Sequence, residues 1–168
     1  MEVYEAIRRR VAVREFKPEP VPEPIVRKIL LAARWAPSQR NRQPWRLVVV
    51  QDIGMLAKIG ALASTGGFIA QAPLAIAVVM DTTRMVQFDA ARAIENMILT
   101  AWAEGVGTCY VGGIDRDAVK KLLGVPEEME LITVMPFGFP TDDALAGGKR
   151  RKPLEEIAFR ERFGQPYV

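Results

Sequence analysis

The feature that most constrains the fold is the alternation of short apolar runs with amphipathic segments of helical length. Residues 47–50, 74–80 and 131–135 form mostly apolar runs rich in β-branched side chains, which is typical of buried strands. Residues 87–104 form the longest segment with apolar positions at helical spacing. Because a chain that alternates such elements buries them in layers, we expect helices on both faces of a central sheet.

The same criteria place the remaining elements. Prolines between residues 18 and 24 predict an extended connector that leads into a helix, and Pro37 ends that helix. Asp115 is a candidate helix cap, and Gly105 is a candidate left-handed helix stop. The further predicted elements are helices over 1–10, 52–62 and 115–123 and a strand over 106–111. With 168 residues and no linker, residues 1–168 should form a single domain.

Two scarce residue types exclude whole classes of chemistry. The chain has no histidine, which excludes a Ser-His-Asp triad and imidazole metal ligands. Its one cysteine, Cys109, excludes an internal disulfide and a four-cysteine zinc site. A single thiol favours a reducing compartment, so we expect a cytoplasmic protein. We expect no metal site, and interpret four acids as surface or capping residues: Asp89, Glu95, Asp115 and Asp117.

Charge is distributed unevenly along the chain. Residues 1–50 carry a net charge of +6, residues 51–148 of −6, and residues 149–168 of +3. Basic ends suit nucleic acid, an anionic membrane, or one anionic ligand at which the two ends converge. The uncharged stretch 59–80 contains too many glycines and polar residues for a membrane span, and no leader is visible, so we expect a soluble protein without membrane attachment.

Four groups of residues could bind a ligand, and each also has an ordinary structural interpretation. Arg8 to Arg10 with Arg14 suit a phosphate, or simply a solvated helix end. The loop 36–45 concentrates hydroxyl and amide groups without carboxylates. Gly112 and Gly113 would let the backbone approach a flat ligand, or only turn the chain. The basic run 149–152 suits an anion, or a solvated tail. No dinucleotide-binding or P-loop glycine spacing occurs.

The order of these groups resembles one known family over essentially the whole chain. The most specific blocks are Ala-Pro-Ser-x-x-Asn-x-Gln-Pro-Trp at 36–45 and Lys-x-Arg-x-Pro-Leu-Glu at 149–155. Between and around them come Val-Arg-Glu-Phe at 13–16, Gly-x-Gly-Thr at 105–108 and Gly-Phe-Pro at 138–140. The pattern resembles the FMN-dependent nitroreductase family. The resemblance implies an α+β fold, a three-layer α/β/α sandwich.

The resemblance also implies roles for individual residues. Arg14 matches the cation near the N1–C2=O edge of the flavin. Gly112 and Gly113 match the backbone that faces flavin N5 and O4. Ala12 stands where the family often has a serine, so one hydroxyl contact to the phosphate is missing. The residues that match the FMN phosphate ligands are Arg10, Lys149 and Arg151, and those that match a loop donated by the other subunit are Pro37, Ser38 and Asn41.

The activity that the resemblance implies needs no catalytic side chain. NADH or NADPH would donate hydride to N5 of the FMN, leave, and be replaced by an electron-poor small-molecule acceptor such as a nitroaromatic or a quinone. The protein would be a homodimer with FMN at the subunit interface. Other chains of this kind fragment flavin, dehalogenate or desaturate. Outside the family, a flavin-binding protein without turnover and a basic nucleic-acid-binding module are the alternatives, although the acidic middle argues against nucleic acid.

Overall fold

A computed structural model describes residues 1–146 and 149–167 of the chain. In these residues five α-helices and four β-strands follow one another in an order close to the predicted one. The helices are α1 (Val3–Arg9), α2 (Glu23–Arg34), α3 (Ile53–Ala61), α4 (Val86–Ala103) and α5 (Arg116–Leu123). The strands are β1 (Trp45–Val50), β2 (Leu74–Asp81), β3 (Gly107–Thr108) and β4 (Met129–Gly138).

The strands form one antiparallel sheet in the order β1-β2-β4-β3. Alternate residues of β2 point to opposite faces, and every residue from Leu74 to Met80 is buried. Ile76 packs in the same core as Ile29 of α2 and Met97 of α4. Ala77 on the other face packs in the same core as Leu56 of α3. The predicted three-layer arrangement is therefore confirmed, with helices covering both faces of the sheet.

Two predicted helix ends are also present. Asp115 caps α5, because its carboxylate accepts the backbone N–H of Ala118 at 3.0 Å. Gly105 after α4 and Gly124 after α5 both have the left-handed backbone conformation. The uncharged stretch 59–80 contains the end of α3, a 3₁₀ turn and most of β2, and no helix in the described ranges is long and apolar enough to cross a membrane.

The predicted strand over 106–111 is wrong for most of its length. Only Gly107 and Thr108 pair with β4. Beyond Thr108 the backbone leaves the ladder, because its polar groups bond to side chains instead. The Val111 carbonyl accepts the hydroxyl of Thr133 at 2.9 Å, and the Gly113 N–H donates to the Thr65 hydroxyl at 3.1 Å.

An extended segment, residues 11–16, lies against the free side of β3. The Val13 N–H donates to the Thr108 carbonyl at 3.0 Å, and Val13 is fully buried. Gly107 makes this approach possible, since a Cβ atom there would lie 2.5 Å from the Val13 Cγ2. The first helix and the N-terminal arginines are thus attached to the sheet through a contact that admits no side chain at position 107.

The C-terminal tail folds back on itself after a 3₁₀ turn at Leu154–Glu156. Phe159 bridges to Pro166, and its ring lies 4.6 Å from the ring of Phe163. The Arg160 guanidinium stacks on the ring of Tyr167. The tail is largely exposed within a single chain, and Phe163 is 92% exposed.

We predict that Gly107→Ala lowers the free energy of unfolding by about 1–3 kcal/mol, the usual cost of overpacking a tight contact. The matched control is Gly67→Ala, because a Cβ atom at position 67 meets nothing within 4 Å. The control should stay within about 0.5 kcal/mol of the parent. Urea unfolding of the ligand-free protein measures both, and equal effects of the two substitutions would contradict the close contact between Gly107 and Val13.

Candidate functional site

The candidate site is built on the extended segment that follows α1. Val13 is buried against the body of the protein, whereas Ala12 and Arg14 on either side of it are exposed. This alternation is the period of two of an extended chain. It directs Arg10, Ala12 and Arg14 together into a cleft beside α4 and β3.

Two cavities share this Arg10–Ala12–Arg14 wall. The first, of about 400 Å³, continues along α4 and past the end of β3. Its other lining residues include Ile94, Glu95, Ile98, Thr108, Cys109 and Tyr110. The second, of about 370 Å³, is closed by the C-terminal basic block Lys149, Arg150 and Arg151. The two basic ends of the chain therefore converge at one cleft.

The second cavity holds far more positive than negative charge. Its described lining residues include four arginines and Lys149 but no carboxylate. A carboxylate oxygen of Glu95, in the first cavity, lies 3.9 Å from Arg10 Nε. The pKa of Lys149 is lowered by partial burial and by the positive charges of Arg10 and Arg151. Cations this close together repel one another, and a bound anion relieves that repulsion. The cavity is therefore suited to a phosphate or another multiply charged anion.

Lys149 also attaches the C-terminal block to α1. Its ammonium donates to the carbonyls of Ile7 and Arg8, at 3.0 and 2.7 Å, at the C-terminal end of that helix. A cation is favourable there because these carbonyls have no partner within the helix. An ammonium has three donors, so one N–H of Lys149 is left for a ligand.

The first cavity combines cations, a buried thiol and a buried hydroxyl that lacks a partner. The pKa of the Cys109 thiol is raised by burial, and this effect is opposed by the positive charge and hydrogen bond of Arg14 and by the charge of Arg10. The buried hydroxyl of Thr108 has no hydrogen-bond partner within 1–146 and 149–167. A buried hydroxyl without a partner is costly, so this wall is suited to a ligand that carries hydrogen-bonding groups.

The loop with Pro37, Ser38 and Asn41 does not reach these cavities in its own chain. Its backbone is strained, since Arg40, Asn41 and Gln43 all have positive φ angles near 53°. The Ser38 hydroxyl oxygen accepts the Gln43 N–H at 2.9 Å. The loop is thus a compact polar projection that stands apart from the cleft.

The interpretation of Asp89 as a surface or capping residue is wrong, because it is buried and accepts an N–H from a loop and not from its own helix. Asp89 is 1% exposed, and both of its carboxylate oxygens accept the Gln39 N–H, at 3.1 and 3.2 Å. Arg92 Nη1 lies 3.0 Å from the same carboxylate. The sequence does contain a signal for this burial, because Asp89 shares a helix face with Ala93 and Met97. Glu95 and Asp117 are exposed as expected.

Gly112 and Gly113 also lie outside the walls of the two cavities. The Gly113 N–H is engaged by Thr65, whose own N–H donates back to the Gly113 carbonyl at 3.3 Å. The Gly112 carbonyl accepts from Arg116 Nη2 at 3.4 Å. A Cβ atom at position 113 would lie 2.6 Å from Ser64 Oγ, so a larger residue there would have to displace the side chains of Ser64 and Thr65.

No three side chains of the types His, Cys, Asp and Glu cluster as a metal site requires, in the part of the chain that the structure describes. The arrangement instead brings together guanidinium and ammonium groups, a lone buried hydroxyl and apolar helix residues. These are the components of a binding site for an anionic organic ligand.

Comparison with known proteins shows which family of sequences and structures this chain resembles. The profile of the family described as "Nitroreductase family" matches residues 7–84 and 60–139. A protein of Methanothermobacter thermautotrophicus, provisionally named NADH dehydrogenase/NAD(P)H nitroreductase, is 33% identical over 85% of this chain and 80% of its own. A crystal structure described as an oxidoreductase containing FMN is 27% identical, covers 95% of this chain and 92% of its own, and superposes with a TM-score of 0.83.

Other relatives carry names of different activities. A 5,6-dimethylbenzimidazole synthase of Rhodobacter capsulatus is 28% identical over 90% of this chain and 92% of its own. An iodotyrosine deiodinase of Nematostella vectensis is 26% identical over 93% of this chain and 74% of its own. Proteins at this level of sequence identity to the chain therefore carry the names of several different reactions.

We predict that the Cys109 thiol is alkylated by iodoacetamide with a pH profile displaced to higher pH than that of the urea-unfolded chain, because burial raises its pKa. Arg14→Gln removes the positive charge and hydrogen bond that oppose this effect, so it should displace the profile further upward. Arg116→Gln, an arginine outside the two cavities, is the control. A profile at or below that of the unfolded chain would contradict the assigned environment.

Proposed function

The chain belongs to the nitroreductase family, and from this premise we propose that it is an FMN-dependent oxidoreductase that uses NADH or NADPH to reduce an electron-poor acceptor, such as a nitroaromatic or a quinone. The observation that carries the proposal is the convergence of Arg10, Lys149 and Arg151 on one cleft. Arg10 lies about 140 positions from Lys149 and Arg151 in the sequence, and the resemblance assigns all three to the FMN phosphate.

The residues present fit the phosphate end of FMN. A phosphate monoester carries nearly two negative charges at neutral pH, and forked guanidinium donors match its oxygens. Arg10 and Arg151 would supply such donors, and Lys149 keeps one N–H beyond the two that it donates to α1. Ala12 offers no hydroxyl, so we propose that cations alone hold the phosphate.

The first cavity fits the flavin ring and its ribityl chain. Ile94 and Ile98 of α4 provide apolar surface, and Arg14 lies on the opposite wall. The buried hydroxyl of Thr108 would find its missing partner among the ligand's polar groups. Together the two cavities, of about 400 and 370 Å³, fall in the size class of cofactor sites.

Bound FMN would supply the redox chemistry by accepting hydride from NAD(P)H at N5 and passing it to the acceptor. The chain's own residues would bind and orient the ligand and balance its charge. Arg14 would stabilise negative charge at the N1–C2=O edge. No side chain is required as an acid or base, because protons can come from water.

We propose that the protein is a homodimer with FMN at the subunit interface. The loop with Pro37, Ser38 and Asn41 lies apart from the cavities of its own chain, as expected if it serves those of a partner. In the tail the side chains of Ile157 and Phe163 are 61% and 92% exposed. Exposed apolar surface of this kind is typical of a segment that packs against a partner chain. The free thiol of Cys109 fits a cytoplasmic location.

A divergent activity on the same cofactor is the second candidate, because the relatives include a 5,6-dimethylbenzimidazole synthase and an iodotyrosine deiodinase. Fragmentation of flavin, reductive dehalogenation and desaturation would all use the same FMN cleft. A nucleic-acid-binding function is disfavoured, since the basic residues line a cleft and face one another there.

We predict that the purified protein is yellow, and that anaerobic addition of NADH or NADPH bleaches its visible absorbance. Nitroaromatics or quinones should then restore the colour with multiple turnovers. A panel of nitroaromatics, quinones, halogenated phenols and free flavin, monitored by absorbance, separates the main proposal from the divergent activities. A colourless protein that takes up no FMN would overturn the proposal, and a coloured protein that is not bleached would be a flavin-binding protein without turnover.

We predict that Arg151→Ala weakens FMN binding by roughly ten- to a hundredfold, since a charge-assisted hydrogen bond contributes about 1.5–3 kcal/mol. Saturating FMN should restore most of the activity, because the phosphate is remote from N5. Arg27→Ala on α2, an exposed arginine outside both cavities, is the matched control. Fluorescence titration of the apoprotein with FMN measures the affinities.

Arg14→Ala should behave differently from Arg151→Ala. Its charge is assigned to the reactive ring, so added FMN should not rescue its loss of activity. If Arg151→Ala holds FMN as tightly as the parent does, the C-terminal block does not bind the phosphate, even though the family assignment stands.

A further inference from the structure

We propose that Asp89 is a positioning residue for the flavin site of the partner subunit, because it anchors the loop 38–43 in the conformation that this site requires. The inference rests on the proposed FMN-binding homodimer. It assigns a task to a buried carboxylate that takes no part in the cleft of its own chain.

The geometry links Asp89 directly to the loop. Its two oxygens receive one backbone N–H, that of Gln39, at 3.1 and 3.2 Å. Fifty positions separate the two residues, so the contact joins the first turn of α4 to the loop after α2. Asp89 is 1% exposed, and Arg92 together with the N-terminal end of α4 surrounds it with positive charge.

The loop needs such an anchor because its backbone is unfavourable. Arg40, Asn41 and Gln43 all occupy the left-handed region, which residues other than glycine avoid. Conformations of this kind persist only where surrounding contacts determine them. Between Ser38 and Gln43, the contact with Asp89 is the hydrogen bond that ties the loop to α4 in the described structure.

The anchored conformation determines what the loop presents. The Ser38 oxygen is engaged as an acceptor by the Gln43 N–H, so its O–H remains to donate. No carboxylate occurs between Pro37 and Pro44. The loop therefore offers hydrogen-bond donors to acceptor atoms of a ligand, and their direction depends on the backbone that Asp89 fixes.

The first test compares Asp89→Asn with Asp115→Asn. Both carboxylates accept a backbone N–H near the start of a helix, but Asp115 is remote from the loop. We expect Asp89→Asn to weaken FMN binding by about tenfold, because the amide keeps an oxygen for the Gln39 N–H but removes the charge that strengthens this hydrogen bond. Asp115→Asn should leave the affinity within about twofold. Thermal unfolding of both apoproteins verifies that each variant folds and gives its loss of stability.

The second test separates positioning in the partner's site from a general effect on folding. A mixed dimer is prepared from one Asp89→Asn chain and one Arg151→Ala chain that carry different affinity tags. One of its two sites would combine an intact phosphate end with an intact loop, and the other would combine both defects. We therefore expect one tightly bound FMN per mixed dimer, at an FMN concentration where the Asp89→Asn homodimer and the Arg151→Ala homodimer are both empty.

The outcomes distinguish the inference from its premise. If Asp89 acted only within its own chain, each site of the mixed dimer would carry one defect and no tight FMN would be found, which would overturn the inference. Unchanged FMN affinity of the Asp89→Asn homodimer would also overturn it. A wild-type chain that is monomeric by light scattering, or that binds no FMN, would instead overturn the proposed function.

Discussion

The hydrogen bond between the Val13 N–H and the Thr108 carbonyl holds together the parts of the molecule that matter for binding. It fixes the extended segment after α1 against the short strand β3, with Gly107 allowing the two backbones to meet. Arg10 and Arg14 are directed into the cleft only because Val13 between them is buried. Lys149 then adds the C-terminal block by binding to the end of α1.

The layered fold could be predicted from the sequence because β2 is a continuous apolar run and α4 has apolar residues at helical spacing. Every residue of β2 up to Met80 is buried, and α4 begins and ends within one residue of the predicted segment. The strand predicted over 106–111 fails for the opposite reason. Its residues are apolar, but after Thr108 the backbone bonds to the side chains of Thr133 and Thr65, which no local pattern reveals.

The candidate site could be predicted only as far as the family pattern extends. The resemblance identifies Arg10, Lys149 and Arg151, and the structure places all three around one cavity. The burial of Asp89 could be expected only from its helix face, because the burial of an acid depends on which partner groups the fold brings to it. In this chain those groups are the Gln39 N–H and the guanidinium of Arg92.

The C-terminal tail has a thermodynamic consequence for association. A segment that folds only on docking must lose its backbone freedom at that moment, which weakens binding. In this chain the bridge between Phe159 and Pro166 and the stacking of Arg160 on Tyr167 already restrict the tail before any contact is made. In the proposed dimer, the surface that receives Phe163 would therefore gain its apolar area at a reduced entropic cost. Assembly of that dimer should accordingly resemble the joining of two preformed bodies more than the ordering of a loose chain.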